Sequence, residues 1–189
     1  LKAAMAPQSV STDGEWTGCV LNGVPVLNNG KQPPFWWNGD ISNPIQTLPD
    51  WPVDTLCGSI AAFKYNLIAM DITTASVRTQ EHMLWSDAAD PGQIPDSWTA
   101  GPDNQAGSNI LADTAGAIID GKALRDSFIL YKNHSTYVMD YVGGQFVFSF
   151  RLLFNNSGIQ SRNCVVELRG KHWVLTDTDL ITHDGNTYK

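Results

Sequence analysis

Short apolar runs separated by Gly, Asn or Asp recur through the second half of the chain. They occupy residues 128–131, 137–142, 146–153, 164–168 and 173–175. Each run is rich in β-branched and aromatic residues, and none keeps the three-to-four-residue spacing of a helix for long. The pattern predicts consecutive antiparallel strands joined by short turns.

The first half of the chain shows the same pattern with longer interruptions. Apolar runs at residues 19–21 and 24–27 flank Asn22-Gly23, which is a strong hairpin signal. Further strands are predicted at residues 35–37, 59–63, 67–72 and 82–86. Residues 1–15 are expected to form an extended N-terminal segment. Residues 38–55 and 87–116 are expected to be long, ordered loops that are functional or packed by their own side chains.

The predicted strands fall into four groups. The second strand of each group begins near Val24, Leu67, Phe128 and Trp173, at spacings of 43, 61 and 45 residues. A period of about 40 to 50 residues with three or four strands is typical of β-propeller blades. We therefore predict an all-β, β-propeller-like domain over residues 16–189. It has about four antiparallel blades or part-blades, as part of a larger propeller and a longer chain. A β-sandwich with long loops is the alternative, but it does not explain the even spacing.

Composition narrows the possible functions. The chain is 42% hydrophobic with seven Trp, which is enough for a packed core. Its net charge of −7 argues against a dedicated nucleic-acid-binding protein. No run of 18 apolar residues occurs, so no membrane insertion is expected. Cys19, Cys57 and Cys164 are widely spaced without a CxxC motif, which predicts free thiols in a reducing compartment and no zinc site.

Acidic residues cluster near the C-terminal end of the sequence, at Asp177, Asp179 and Asp184, with His172 just before them. A calcium loop needs oxygen ligands at alternate positions, and Ile181 interrupts that series. Two carboxylates across a cleft would suit a glycosidase. The favoured interpretation is that these side chains cap turns between strands.

A second polar group combines His134 and Ser135 with Asp126 and Asp140. These residue types could form a nucleophilic triad, but no Gly-x-Ser-x-Gly elbow supports one. Turn residues are the favoured interpretation here as well. The sequence therefore predicts no catalytic residue, no metal site and no cofactor.

Large aromatic residues stand in the Pro-rich stretches outside most of the predicted strands. Exposed aromatic side chains in acidic loops could stack on sugar rings or anchor a protein partner. The alternative is that they fill the ends of the sheets and keep the long loops ordered. The candidate contact residues are Phe35, Trp36, Trp37, Trp51 and Trp98.

Three segments carry a resemblance to a known class of proteins. They are LWSDAADPGQIPDSW, NILADTAGAIIDGKALRDSFILYKNHSTYVMDYVGGQFVFSF and SGIQSRNCVVELRGKHWVLTDTDLITHDGN. Over residues 16–189, and most specifically from Met83 onward, the chain resembles structural proteins of tailed bacteriophages. By architecture it is similar to the tail nozzle (tail tubular) proteins of short-tailed phages, although those subunits are several times longer.

The resemblance implies a non-enzymatic virion structural protein. Such a protein carries a β-propeller around a DNA channel, forms a ring of identical subunits and docks other tail proteins. DNA is expected to pass without specific binding, and the location is the virion tail, assembled in the host cytoplasm. Two alternatives stay open: a tail module that binds a host glycan or receptor, and a polysaccharide-degrading enzyme.

Overall fold

The computed structural model describes residues 11, 14–144 and 146–186, and all regular secondary structure in this part of the chain is β-strand. The predicted N-terminal segment, residues 1–15, lies largely outside the described residues. The strands are β1 (Thr17–Leu21), β2 (Val24–Asn28), β3 (Phe35–Trp36), β4 (Gln46–Thr47), β5 (Thr55–Phe63), β6 (Asn66–Thr74), β7 (Val77–Trp85), β8 (Gly107–Ile110), β9 (Ile118–Leu124), β10 (Ser127–Lys132), β11 (Ser135–Tyr141), β12 (Phe148–Asn155), β13 (Val165–Leu168), β14 (Lys171–Leu175) and β15 (Leu180–His183).

The strands form four antiparallel sheets in chain order. Sheet 1 contains β1 to β4, sheet 2 contains β5 to β8, sheet 3 contains β9 to β12, and sheet 4 contains β13 to β15. Within each sheet every strand pairs with the next strand along the chain, which is the up-and-down connection of propeller blades. The prediction of an all-β, propeller-like fold with four antiparallel blades is confirmed.

The chain divides into two compact units, residues 1–109 and 110–189. In the N-terminal unit β1 lies against β5, and the core between sheets 1 and 2 includes Leu21, Val26, Ile60 and Leu67. In the C-terminal unit the core joins sheets 3 and 4 through Leu124, Ile129, Val138, Val165 and Val174. The expectation of a single domain over residues 16–189 stays a prediction.

The first hairpin of each sheet has a two-residue turn whose first residue has the same backbone conformation. The first turn residue lies in the left-handed region in all four sheets, where non-glycine residues are uncommon. These residues are Asn22 (φ 52°), Lys64 (φ 53°), Arg125 (φ 55°) and Arg169 (φ 55°). The repeat is therefore present in backbone conformation as well as in strand spacing.

The two predicted loops differ from the expectation because each contains a short strand. Residues 38–55 include β4, and residues 87–116 include β8. Both strands are the outermost strands of their sheets. An edge strand has one neighbour and few buried side chains, so its sequence does not show the apolar run on which the prediction depended.

Another hairpin, between β6 and β7, carries a conformational cost. Its two turn residues, Ala75 and Ser76, have φ of 48° and 66°. A two-residue turn with two positive φ angles favours Asn-Gly, because other side chains are strained there by about 1 kcal/mol each. The turn residues are exposed, so changing them does not disturb the core.

We expect the double variant Ala75→Asn/Ser76→Gly to raise the free energy of unfolding by about 1 kcal/mol, measured by urea denaturation. The reciprocal change at Asn22-Gly23, Asn22→Ala/Gly23→Ser, should lower it by at least as much. Asn22 also donates from Nδ2 to the Asp90 carbonyl at 3.1 Å. An unchanged or lowered stability of the first variant would contradict the strain argument.

Candidate functional site: loop aromatics and a buried Tyr–His–His network

The five candidate aromatic residues do not form one exposed platform. Phe35 and Trp98 are buried, at 2% and 4% exposure. Trp98 meets Trp51 edge-to-face, with ring centroids 4.6 Å apart, and Trp51 Nε1 donates to the Thr55 carbonyl at 2.7 Å. Trp36 and Trp51 are partly buried and pack against the core of the N-terminal unit.

Trp37 has a different role in the loop that follows β3. Its Nε1 donates to the Asp40 carbonyl at 3.1 Å and the Asn43 carbonyl at 3.2 Å. The indole therefore orders the turn over residues 38–43, while its ring stays half-buried. Trp36, Trp37 and Trp51 keep accessible surface, and the contact role of all five residues stays a prediction.

The acidic cluster near the C-terminal end is built into turns. Asp179 N donates to Thr176 Oγ1 at 2.9 Å, and Thr176 N donates to the Asp179 carbonyl at 2.9 Å. Asp184 Oδ1 accepts a hydrogen bond from Asn186 N at 3.1 Å. These are the local side-chain-to-backbone bonds that Asp and Thr form in turns.

The second polar group, His134, Ser135, Asp126 and Asp140, does not show the hydrogen bonds that a catalytic triad requires. Ser135 Oγ shares a 2.7 Å hydrogen bond with Thr114 Oγ1. Asp140 Oδ1 accepts from Ser127 Oγ, and Asp140 Oδ2 lies 3.5 Å from Arg151 Nε. His134 is exposed in the turn after β10. Ser135 and Asp140 therefore each interact with residues other than His134.

The most tightly organised polar group is a network that the sequence pattern did not indicate. Tyr131, His172 and His183 are all buried, at 0% to 2% exposure, and lie on β10, β14 and β15. Tyr131 Oη is 2.7 Å from His172 Nδ1 and 2.6 Å from His183 Nε2. His172 and His183 are directly opposite each other in adjacent strands. The network therefore connects sheet 3 to sheet 4.

Each imidazole has a second ring nitrogen, and the hydrogen bond of that nitrogen determines which atom donates in the bond to Tyr131. Gly185 N donates to His183 Nδ1 at 3.2 Å, so the proton of neutral His183 lies on Nε2 and is donated to Tyr131 Oη. The Ala123 carbonyl, 3.0 Å from His172 Nε2, can only accept. His172 Nδ1 therefore accepts the hydroxyl proton of Tyr131. With both imidazoles neutral, every ring nitrogen and the hydroxyl have a partner.

Burial shifts the pKa of each member toward its neutral form. Desolvation, with a smaller contribution from the neighbouring His172, lowers the pKa of His183 to about 4, while Asp184 opposes the shift. The pKa of His172 is also lowered by burial, with Lys122 adding to the shift and the Ala123 carbonyl and Glu167 opposing it. Burial raises the pKa of Tyr131 above its usual value, and Asp120 adds to this.

The network is closed, because its polar atoms satisfy one another and the Phe154 ring stands edge-on to His183 at 5.3 Å. A separate cavity of about 230 Å³ in the C-terminal unit is lined by Arg125, Asp126, Arg151 and Asp184, among others. Within the described residues, no group of three or more His, Cys, Asp or Glu side chains is placed to hold a metal ion. The arrangement therefore supports a role in holding sheet 3 against sheet 4 more directly than a catalytic role.

Comparisons with known proteins identified no family for this chain. Neither the family models nor the curated proteins gave a match to this chain. The described part of the chain contains no helix with the length and apolar character needed to cross a membrane. The three cysteines are free thiols, as predicted, with Cys57 buried and Cys19 and Cys164 half-buried.

Proposed function

We propose that the protein is a non-enzymatic structural component of a phage tail, of the nozzle or tail-tube type. In this role it contacts copies of itself and other tail proteins around the passing DNA. The observation that carries the proposal is the agreement between the propeller-like fold of residues 17–183 and the fold expected from the resemblance.

The charge distribution supports a surface that does not hold DNA. Residues 1–109 contain 4 Lys and Arg against 11 Asp and Glu, whereas residues 110–189 contain 8 of each. The whole net charge of −7 therefore belongs to the N-terminal unit. DNA carries a dense line of phosphates, so an acidic wall repels the backbone and lets it slide.

Electron microscopy of the purified particle tests this function. The proposal expects density for this protein in the tail, arranged as a ring around a central channel. Labelling with an antibody raised against residues 87–116 would identify the subunit in such images. Particles that contain the protein only in fibres, or preparations in which it is absent from the virion, would contradict the proposal.

A second candidate function is recognition of a host glycan or receptor by the loop aromatics. The half-buried ring of Trp37, fixed by its two hydrogen bonds, is the observation that favours it. A glycan array compares wild type with Trp37→Ala and with the control Trp16→Ala, which removes an exposed indole outside these loops. Binding that is lost only in Trp37→Ala supports this function, and no binding by the wild type removes it.

The third possibility, an enzyme that degrades polysaccharide, has the weakest support. The candidate carboxylates Asp177, Asp179 and Asp184 lie in the turn region. Asp184 accepts a hydrogen bond from the Asn186 backbone N, and Asp179 accepts one from the Thr178 hydroxyl. We therefore propose no catalytic residue and no cofactor for this chain.

A further inference from the structure

Sheet 4 has one covered face and one exposed apolar face. Val165, Val174 and His172 point into the unit, toward sheet 3. The alternate positions of the same strands point outward. The outward apolar residues are Val166, Leu168, Trp173, Leu175 and Leu180, which are 41% to 62% exposed. We name this surface the outer face of sheet 4.

Strand register makes the outer face of sheet 4 a continuous surface. Val166 is opposite Trp173, and Leu175 is opposite Leu180. Among the described residues of the three strands, Lys171 is the one charged side chain on this face. Together the five side chains expose on the order of 500 Å² of apolar surface, near the upper end for a monomeric soluble protein. A patch of this size marks a contact surface.

Sheet 1 has a smaller surface of the same kind in the other unit. Its inward positions, including Leu21 and Val26, pack against sheet 2. On the opposite side Trp16, Val20 and Leu27 are 40% to 64% exposed. No charged residue lies among the described residues of β1 and β2. We name this surface the outer face of sheet 1.

We propose that the outer face of sheet 4 binds the outer face of sheet 1 of a second copy of this chain. Both units already bury sheet faces by placing one antiparallel sheet on another, so a sheet is the partner whose shape fits. A stable interface buries about 800 Å² on each partner, and the apolar patch of sheet 4 supplies about 500 Å² of this.

Charge favours this head-to-tail pairing over a symmetric contact between two N-terminal units. Such a symmetric contact through sheet 1 would bring together two units that each carry a net charge of −7. The head-to-tail contact instead places the acidic unit against the neutral C-terminal unit, where Lys171 borders the apolar patch. A head-to-tail interface produces a closed ring or a longer series of subunits. The inference deepens the proposed self-association, but it rests on these two faces and not on the role in a tail.

Complementation between two variants tests the pairing. Val20→Glu alters only the outer face of sheet 1, and Trp173→Glu alters only the outer face of sheet 4. Multi-angle light scattering at about 100 µM should show wild type as an oligomer and each variant alone as a monomer, because the dissociation constant rises at least about tenfold. An equimolar mixture of the variants should form a heterodimer, because one intact face of each kind remains.

The control Val53→Glu changes an exposed apolar residue outside the strands and should associate like wild type. Circular dichroism confirms that each variant keeps its sheets, which is expected because both mutated side chains point to solvent. A monomeric wild type at this concentration overturns the inference. Val20→Glu that still dimerises alone also overturns it, because that result indicates a symmetric sheet 4 contact. The proposed tail function is tested separately, by electron microscopy of the intact particle, so its failure can be distinguished from failure of this pairing.

Discussion

Replacing Tyr131 with Phe should lower the free energy of unfolding by about 3 kcal/mol. The ring keeps its volume, so the loss comes from the hydroxyl alone. Tyr131 Oη accepts from His183 Nε2 at 2.6 Å and donates to His172 Nδ1 at 2.7 Å, in a region closed to water. Removing it leaves a buried donor and a buried acceptor without these bonds, and each then costs its desolvation.

Urea denaturation at pH 7.5 measures this change, with Tyr65→Phe as the matched control. Tyr65 is 57% exposed, so the loss of its hydroxyl should alter stability by less than about 0.5 kcal/mol. A double-mutant cycle with His183→Ala should show strong non-additivity, since both changes remove the same hydrogen bond. Equal effects of Tyr131→Phe and Tyr65→Phe would show that the network contributes nothing to stability.

Strand spacing predicted the fold because apolar runs mark the central strands of each sheet. The second strands were predicted to begin near Val24, Leu67, Phe128 and Trp173. They begin at Val24, Asn66, Ser127 and Lys171. β6 and β10 are buried along most of their length, and β2 and β14 bury every second residue, so their sequences carry a strong apolar signal.

Two further strands that the pattern missed lack an uninterrupted apolar run of four residues. β9 (IIDGKAL) has Asp, Gly and Lys at its centre, and β15 (LITH) follows the acidic turn. β15 is the last strand of sheet 4, and β9 is an edge strand of sheet 3. Their hydrogen bonds to a single neighbour, rather than an apolar run, hold them in the sheets.

The buried network could be predicted only in part. His172 and His183 fall on inward positions of neighbouring strands, and a register drawn from the hairpin would have placed them opposite each other. Tyr131 is 41 residues from His172 in sequence, and its approach depends on how sheet 3 packs on sheet 4. Conversely, the loop aromatics were visible in the sequence, but their burial depends on the folded loops. Trp98 is buried for this reason, whereas Phe35 is buried on strand β3.

The same network should make the protein less stable in mild acid. In the unfolded chain a histidine has a pKa near 6.5, whereas burial holds the pKa of His183 at about 4 in the folded protein. Between these values the unfolded state binds more protons than the folded state. A falling pH therefore stabilises the unfolded state relative to the folded state. The contribution of neutral His183 is therefore complete above pH 6.5 and is lost progressively down to pH 4.

We expect the free energy of unfolding to decrease by about 2 kcal/mol between pH 7 and pH 4.5 through His183, with His172 and the half-buried His82 adding to the slope. Denaturation curves across this range measure it. His183→Gln keeps a donor toward Tyr131 but cannot titrate, so its slope should be clearly smaller. An unchanged slope in His183→Gln would contradict the prediction, because the protonation that opposes folding would then occur elsewhere.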